Sequence, residues 1–261
     1  MIYDITTFNG EHELFEIRYN ILKDYVDEFR VIEFDQTFSG KKKEKQFNQH
    51  WDKVKHYFIT EDVWSKYKNL AWQSPNTLGA EHWKTEFMMK ESIKDYLTDL
   101  DDEDTIMVSD CDEIWNPEFV LNPAFHLFVE DDGNLFKLKL RVYTYWLNNR
   151  SSEEFWGTIV GRYKNIKGKC LNYLRQSDSI KTITEWGWHF TNVMKLDKIR
   201  DKLNDSYTAE SYNTPQVQEL LEERYKNNVD YLGRNFIFKK DESELPKWLL
   251  KHKNDYKHLF R

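Results

Sequence analysis

The chain has 261 residues, 16% of them aromatic, and it contains only 9 glycines and 5 prolines. This length and aromatic content indicate a chain that folds around a buried core, and they exclude a disordered or low-complexity protein. The net charge of −7 argues against a basic surface for nucleic acid, so we expect no nucleic-acid partner.

Two cysteines, Cys111 and Cys170, are too few for a disulfide framework and lack the spacing of a zinc site. A reducing compartment is the simplest environment for such a chain. No apolar stretch approaches the roughly 18 residues that span a bilayer, and residues 2–8 have the pattern of a strand rather than of a signal peptide. We therefore expect a cytoplasmic protein with no transmembrane segment.

Residues 2–34 predict a strand, a helix and a second strand. Residues 2–8 are rich in β-branched and aromatic side chains, and Asn9-Gly10 ends this segment. Apolar residues then recur at helical spacing, namely Leu14, Ile17, Ile21, Leu22 and Tyr25. A second apolar stretch covers 29–34. Such a βαβ unit predicts a parallel sheet.

Further elements follow in chain order. We predict a strand at 55–60, a helix over 82–99, an acidic turn at 101–104, a buried strand at 105–109, strands at 158–162 and 186–190, a helix from Pro215 to about Asp230 and a last helix from Pro246. Residues 134–146 alternate between apolar side chains and basic or aromatic ones. This alternation predicts a half-buried strand whose second face presents Tyr143 and Tyr145.

The most informative stretch is Asp110-Cys111-Asp112-Glu113, which directly follows the predicted strand at 105–109. Ligands of open α/β sheets lie beyond the carboxyl ends of strands, so both aspartates should border a crevice. Two carboxylates in that place suit a hard divalent cation, whose other sites are filled by water and phosphate oxygens. The alternative is an acidic surface turn of the kind we expect at 101–104.

Several segments, taken together and in order, resemble glycosyltransferase family 17, which is related to the β-1,4-mannosyl-glycoprotein 4-β-N-acetylglucosaminyltransferases. The segments are FNGEHELFEIRYNIL (8–22), VIEFDQTFSGKKKEKQF (31–47), HWKTE (82–86) with Lys90, SDCDEI (109–114), YTYWLNN (143–149), GWHF (187–190), SYTAESYNTP (206–215) and KWLLKHKNDYKHLF (247–260). The resemblance covers nearly the whole chain. It implies a GT-A-type α/β fold, a nucleotide-diphospho-sugar transferase with a mixed central sheet flanked by helices.

The resemblance also implies an activity. We predict an inverting, metal-dependent glycosyltransferase that moves N-acetylglucosamine from a UDP-sugar to a glycan or glycoconjugate acceptor, with Mn²⁺ or Mg²⁺ as cofactor. We predict one domain over 1–261, whose nucleotide-binding half covers 1–115 and whose acceptor-binding half, with the C-terminal helices, covers 116–261.

The metal and catalytic candidates come from the motif and from this resemblance. We assign the cation to Asp110, Asp112 and His189, with Asp110 also near the ribose. Glu113 should point the other way, toward sugar or acceptor, because side chains alternate along extended backbone. An inverting transfer needs a general base. We assign this role to Glu210, with Glu185, Asp178 and Glu154 as alternatives.

The nucleotide-sugar candidates follow the first two predicted strands. Asn9 and Glu11 come after the first strand and suit contacts to base and ribose. Glu33 ends the second strand and suits ribose or uracil. Thr37 and Lys43 are placed to reach the diphosphate, although the basic cluster around Lys43 also suits a solvated loop.

Other side chains have two interpretations. Arg18 lies inside the predicted helix and is expected to pair with a carboxylate. We expect Trp83 to pack in the core. Tyr143 and Tyr145 are candidates for stacking on sugar rings, whereas Trp146 is expected in the core.

Two other functions remain open at this point. A haloacid-dehalogenase-type phosphatase would use Asp110 as its nucleophile, but its Asp-x-Asp normally lies near the N-terminus. A non-catalytic carbohydrate-binding protein would suit the aromatic content, but it leaves the Asp-x-Asp motif unexplained.

Overall fold

A computed structural model describes residues 1–69, 81–130, 134–183, 186–206 and 212–261. The strands are β1 (Ile2–Phe8), β2 (Glu28–Phe34), β3 (Val54–Ile59), β4 (Thr105–Asp110), β5 (Glu113–Trp115), β6 (Leu135–Thr144), β7 (Asn149–Arg162), β8 (Lys181–Ile183), β9 (Gly187–Thr191) and β10 (Phe238–Lys240). The helices are α1 (His12–Leu22), α2 (Glu61–Trp64), α3 (Glu81–Ser92), α4 (Glu118–Leu121), α5 (Pro123–Glu130), α6 (Tyr163–Ile166), α7 (Leu171–Gln176), α8 (Leu196–Ser206), α9 (Pro215–Lys226) and α10 (Lys247–Lys251). Short 3₁₀ turns cover Ser65–Asn69, Ile93–Tyr96 and Lys257–Leu259.

The strands form one mixed sheet in the order β3-β2-β1-β4-β7-β6-β9-β5, with β10 beside β7 and β8 beside β6. β1 runs parallel to both β2 and β4, and β2 runs parallel to β3. β7 runs antiparallel to β4 and β6. The predicted fold class, a mixed central sheet flanked by helices, is confirmed.

Apolar residues on the two faces of the sheet form two separate core layers. On β4, Ile106 and Val108 face the layer that contains α3 and α7, whereas Met107 faces the layer that contains α1 and α10. Asp110 ends this strand two residues after Val108 and therefore lies on the α3 and α7 face. Thr7 of β1 is its neighbour across the parallel pair.

Most predicted elements are present, with shifted ends. The predicted helix over 82–99 ends at Ser92 and continues as a 3₁₀ turn, and the strand predicted at 158–162 is the end of the longer β7. The predicted cap of α9 is confirmed, since the Thr214 hydroxyl accepts the Val217 N–H at 3.2 Å. Helices α5, α7 and α8 were not predicted. Among the described residues, no helix combines the length and the apolar character that crossing a membrane requires.

The prediction that Tyr143 and Tyr145 face a sugar is wrong. Both side chains are buried, Tyr143 against Phe190 and Tyr145 in the layer formed with α8 and α9. The side chains of Tyr143 and Tyr145 are covered because further parts of the chain pack on that end of β6, including α8 and α9 against Tyr145. Trp146, expected in the core, is only partly buried beside that layer.

Candidate active site

A cavity of about 510 Å³ opens at the carboxyl ends of β1, β2 and β4. The predicted site residues that line it are Asn9, Glu11, Thr37, Lys43, Asp110, Asp112, Glu113 and His189. They come from four separate parts of the chain, and the parallel strands carry three of these parts to one edge of the sheet.

Asp112, Glu113 and His189 form the one cluster among the described residues with the donor atoms of a cation site. One ligand atom from each lies within 4.8 Å of the others. The antiparallel pairing of β5 with β9 sets Glu113 opposite His189 and thereby creates this cluster. The Nε2 atom of His189 lies 3.7 Å from an Asp112 oxygen, and its buried Nδ1 has no hydrogen-bond partner in the described part of the chain.

Asp110 is not one of the three residues of this cluster, and its role as a metal ligand stays a prediction. One oxygen accepts the Thr7 hydroxyl at 2.9 Å, and the other accepts Arg175 at 2.7 Å and Lys90 at 3.3 Å. Burial alone would raise the pKa of Asp110, but the charges of Arg175 and Lys90 outweigh burial and hold that pKa well below its usual value. The carboxylate is thus already neutralised by protein cations.

Glu113 lines the cavity, but its carboxylate is bound by Arg175. Both oxygens contact this guanidinium, one of them at 3.1 Å. Burial raises the pKa of Glu113 in spite of the arginine. The side chain also lies against the backbone of Gly157, where a Cβ atom would approach the Glu113 carboxyl carbon to 2.5 Å. Glu113 is therefore fixed in place and does not reach freely toward a sugar.

Three cations that pair with the carboxylates of the site were not assigned from the sequence. Arg175 lies on α7 and Lys202 on α8, two helices whose presence was not predicted, and Lys90 lies on α3. The Lys202 amine lies 3.6 Å from Asp112. Burial opposes ionisation of Asp112, but His189 and Lys202 outweigh it and lower its pKa to about 2. The only sequence signal for any of them was the place of Lys90 in the family-like segment.

A fully buried arginine holds the Asp-x-Asp turn from behind. Arg18 of α1 binds both oxygens of Asp4 at 2.6 and 2.7 Å and the Ser109 hydroxyl at 2.7 Å. It also donates to the backbone carbonyls of Asp110 at 3.0 Å and Glu113 at 2.6 Å. The expected pairing of Arg18 with a carboxylate is thus present, and the same side chain determines the path of the turn.

Glu33 is buried and does not line the cavity, so its assignment as a nucleotide contact stays a prediction. Its buried oxygens accept the backbone N–H groups of Gln46 at 2.7 Å and Phe47 at 3.1 Å, and one lies 3.1 Å from His56 Nε2. Burial acts to raise the pKa of Glu33, but these hydrogen bonds outweigh it and lower that pKa. Glu33 thus holds the loop that follows Lys43.

The predicted contacts after β1 and β2 border the cavity. The Lys43 amine donates to the Asn9 side chain at 2.7 Å, and the Asn9 N–H donates to Glu11 at 2.6 Å. Thr37 closes a turn by accepting the Lys41 N–H at 3.1 Å. Asn9 and Glu11 also line a second cavity of about 830 Å³, so they form part of a wall between the two spaces.

The predicted general base lies outside the described residues, since 207–211 are not described. The same holds for the alternative Glu185. Of the other two alternatives, Asp178 lines the cavity, whereas Glu154 is exposed and pairs with Lys139 away from it.

Aromatic side chains line the cavity in place of the tyrosines that the sequence suggested. Trp83, expected in the core, borders the cavity. Trp156 of β7 also lines it and is 39% exposed. The Phe155 ring lies 4.0 Å from the His189 ring, centroid to centroid, and so limits its position.

Comparisons with known proteins agree with the resemblance drawn from the sequence. The chain has no match among curated proteins. Among solved structures it is similar to 2-C-methyl-D-erythritol 4-phosphate cytidylyltransferase of Francisella tularensis, with 9% identity and a TM-score of 0.42 over 78% of this chain and 99% of that one. The model of glycosyltransferase family 17 matches residues 1–261. The chain therefore belongs to glycosyltransferase family 17 and is a glycosyltransferase.

Proposed function

We propose that the protein is an inverting, metal-dependent glycosyltransferase that transfers N-acetylglucosamine from UDP-N-acetylglucosamine to a glycan or glycoconjugate. The observation that carries this proposal is the position of Asp112 and His189 in a cavity that also presents Lys202. Carboxylate and imidazole donors suit Mn²⁺, and a nearby cation suits the phosphates of a nucleotide.

Asp112, His189 and Glu113 are the residues that would hold the cation. Two carboxylates and one imidazole leave coordination sites for phosphate oxygens, which fits this donor set to a metal–nucleotide complex. A bound divalent ion supplies Lewis-acid stabilisation of the negative charge on the departing diphosphate. Arg175 keeps the Glu113 oxygens in position beside the cluster.

The remaining chemistry falls to side chains around the cluster. Lys202 and Lys43 line the cavity and attract the diphosphate oxygens. Inversion requires the acceptor hydroxyl to attack from the face opposite the leaving group while a base removes its proton. Glu210 stays our prediction for that base, and Asp178 is the described alternative that lines the cavity.

Calorimetry with UDP-N-acetylglucosamine, with and without Mn²⁺, tests the proposal. We expect binding that requires Mn²⁺, and a loss of at least about tenfold in affinity, about 1.4 kcal/mol, for Asp112→Asn. Asp102→Asn is the matched control, because Asp102 lies in the exposed acidic turn and pairs with Lys167. Equal affinity of wild type and Asp112→Asn would contradict the assigned cation site.

The stereochemical part needs a separate measurement. NMR of the product formed from the α-linked donor should show a β-linkage. An α-linked product would show retention and would refute the inverting mechanism.

A further inference from the structure

One buried amine in the cavity has no role in the proposed transfer. Lys137 of β6 is only 5% exposed and lines the same cavity as the cation cluster. Over the ranges that the structure describes, its ammonium forms no hydrogen bond and no ion pair. The side chain is enclosed, but its ammonium remains accessible from the cavity. A lysine that ends in a cavity without a protein hydrogen bond points to an anionic ligand that pairs with it.

The other lysines of this cavity differ from Lys137, because each lies near a protein oxygen. Lys90 lies 2.7 Å from Glu86, Lys43 donates to Asn9 at 2.7 Å, and Lys202 lies 3.6 Å from Asp112. Lys137 therefore presents an amine without a hydrogen-bonded partner among the described residues, although the Asp178 carboxylate acts on it from a longer distance.

Lys137 is not one of the three residues of the cation cluster. It pairs across the sheet with Ile159 of β7. Burial lowers the pKa of Lys137, whereas the Asp178 carboxylate acts to raise it. The residues proposed to hold the cation and the diphosphate do not include Lys137, which leaves it to another part of the bound substrates.

An exposed aromatic surface lines the same cavity, on the strand that pairs with the strand of Lys137. Trp156 pairs with Lys139 in the neighbouring strand, and the Lys139 amine lies 5.4 Å from the centre of its ring. Lys139 thus covers one side of the indole, while Trp156 remains 39% exposed and lines the cavity. Exposed indole faces suit the C–H faces of sugar rings, because both surfaces are apolar with polar edges.

We propose that Lys137 binds a carboxylate or phosphate substituent of the acceptor saccharide, whose ring stacks on Trp156. This proposal rests on the proposed function, since it names the class of acceptor for the same cavity. A neutral acceptor would leave the Lys137 ammonium unpaired, whereas an anionic one neutralises it with a charge-assisted hydrogen bond.

Titration of the protein with simple glycosides tests this proposal without any transfer reaction. The probes are methyl β-D-glucuronide and methyl β-D-glucoside 6-phosphate, with uncharged methyl β-D-glucoside for comparison, each with and without UDP and Mn²⁺. We expect both anions to bind wild type at least about tenfold more tightly than the neutral glycoside. Lys137→Met should abolish this preference, and Lys139→Met, on the same strand, should keep it.

Further measurements separate the alternatives. Lys137→Met should melt at the same or a higher temperature than wild type, because it removes no hydrogen bond to the described protein groups. A lower melting temperature would mean a structural role and would overturn the proposal. Equal binding of neutral and anionic glycosides would overturn it as well. If Lys137→Met weakened the binding of UDP-glucuronic acid but not that of the free glycosides, the anionic group would belong to the donor and the proposal would fail.

The two proposals can fail independently. Absence of Mn²⁺-dependent UDP binding to wild type would refute the proposed function. The glycoside titrations without nucleotide would still show whether Lys137 selects an anion.

Discussion

Replacing Arg18 should both destabilise the fold and loosen the Asp-x-Asp turn. The guanidinium is fully buried and binds Asp4, the Ser109 hydroxyl and the carbonyls of Asp110 and Glu113. Removal of one partner from a buried ion pair costs about 3–5 kcal/mol because the other charge stays buried. The total free energy of unfolding of a protein is about 5–15 kcal/mol. We therefore expect Arg18→Met to lower the free energy of unfolding by about 3–5 kcal/mol and still to fold.

Urea unfolding at 25 °C measures this loss, and a double-mutant cycle assigns it to the pair. Arg18→Met with Asp4→Leu should be less destabilised than the sum of the single variants, by about 2 kcal/mol. The matched control is Arg30→Met, because Arg30 is also buried but pairs with Glu28 and Asp99 away from the cavity.

The two variants should differ in their affinity for Mn²⁺. Both lose stability, but only Arg18→Met should weaken Mn²⁺ binding, by at least about tenfold, because only Arg18 holds the carbonyls of the turn. This reasoning would be refuted if Arg18→Met lowered the free energy of unfolding by less than about 1 kcal/mol. Unchanged affinity of this variant for Mn²⁺ would refute it as well.

Three further changes give independent tests. Gly157→Ala places a methyl group against the Glu113 carboxylate and should weaken Mn²⁺ binding in calorimetry, whereas Gly161→Ala, on the same strand, should not. Glu33→Gln should lower the free energy of unfolding by about 1.5–3 kcal/mol at neutral pH, measured by urea unfolding, because it replaces a charged hydrogen-bond acceptor by a neutral one. Since hydrogen bonds lower the Glu33 pKa from 4.5, this difference should shrink as the pH falls below that value and reaches the folded pKa. Thr214→Ala should lower stability by about 1 kcal/mol in the same assay through loss of the helix cap.

The local pattern of apolar residues was sufficient to predict the first half of the sheet and the turn that carries Asp110 and Asp112. Spacing of apolar residues predicted β1, α1 and β2 because each buries one recognisable set of side chains. The buried run of β4 likewise predicted that Asp110 and Asp112 follow a strand end. These elements depend on neighbours in sequence more than on distant partners.

The partners of those carboxylates could not be predicted in the same way. Arg175 reaches Asp110 from the short helix α7, and Lys202 reaches Asp112 from α8. Their positions depend on how helices pack, which single-sequence periodicity does not contain. The error at Tyr143 has a related cause, because alternation shows two faces of a strand but not whether the second face meets water.

The pairing of β1 with β4 has a consequence for how this protein matures. The Thr7–Asp110 contact at the edge of the cavity joins residues 103 positions apart in the chain. Contacts of such long range form slowly, because a large loop must close before any compensating interaction exists. Arg175 of α7 and Lys202 of α8 complete the surroundings of Asp110 and Asp112. We therefore expect a nascent chain to acquire nucleotide affinity only after both helices have been synthesised and have docked.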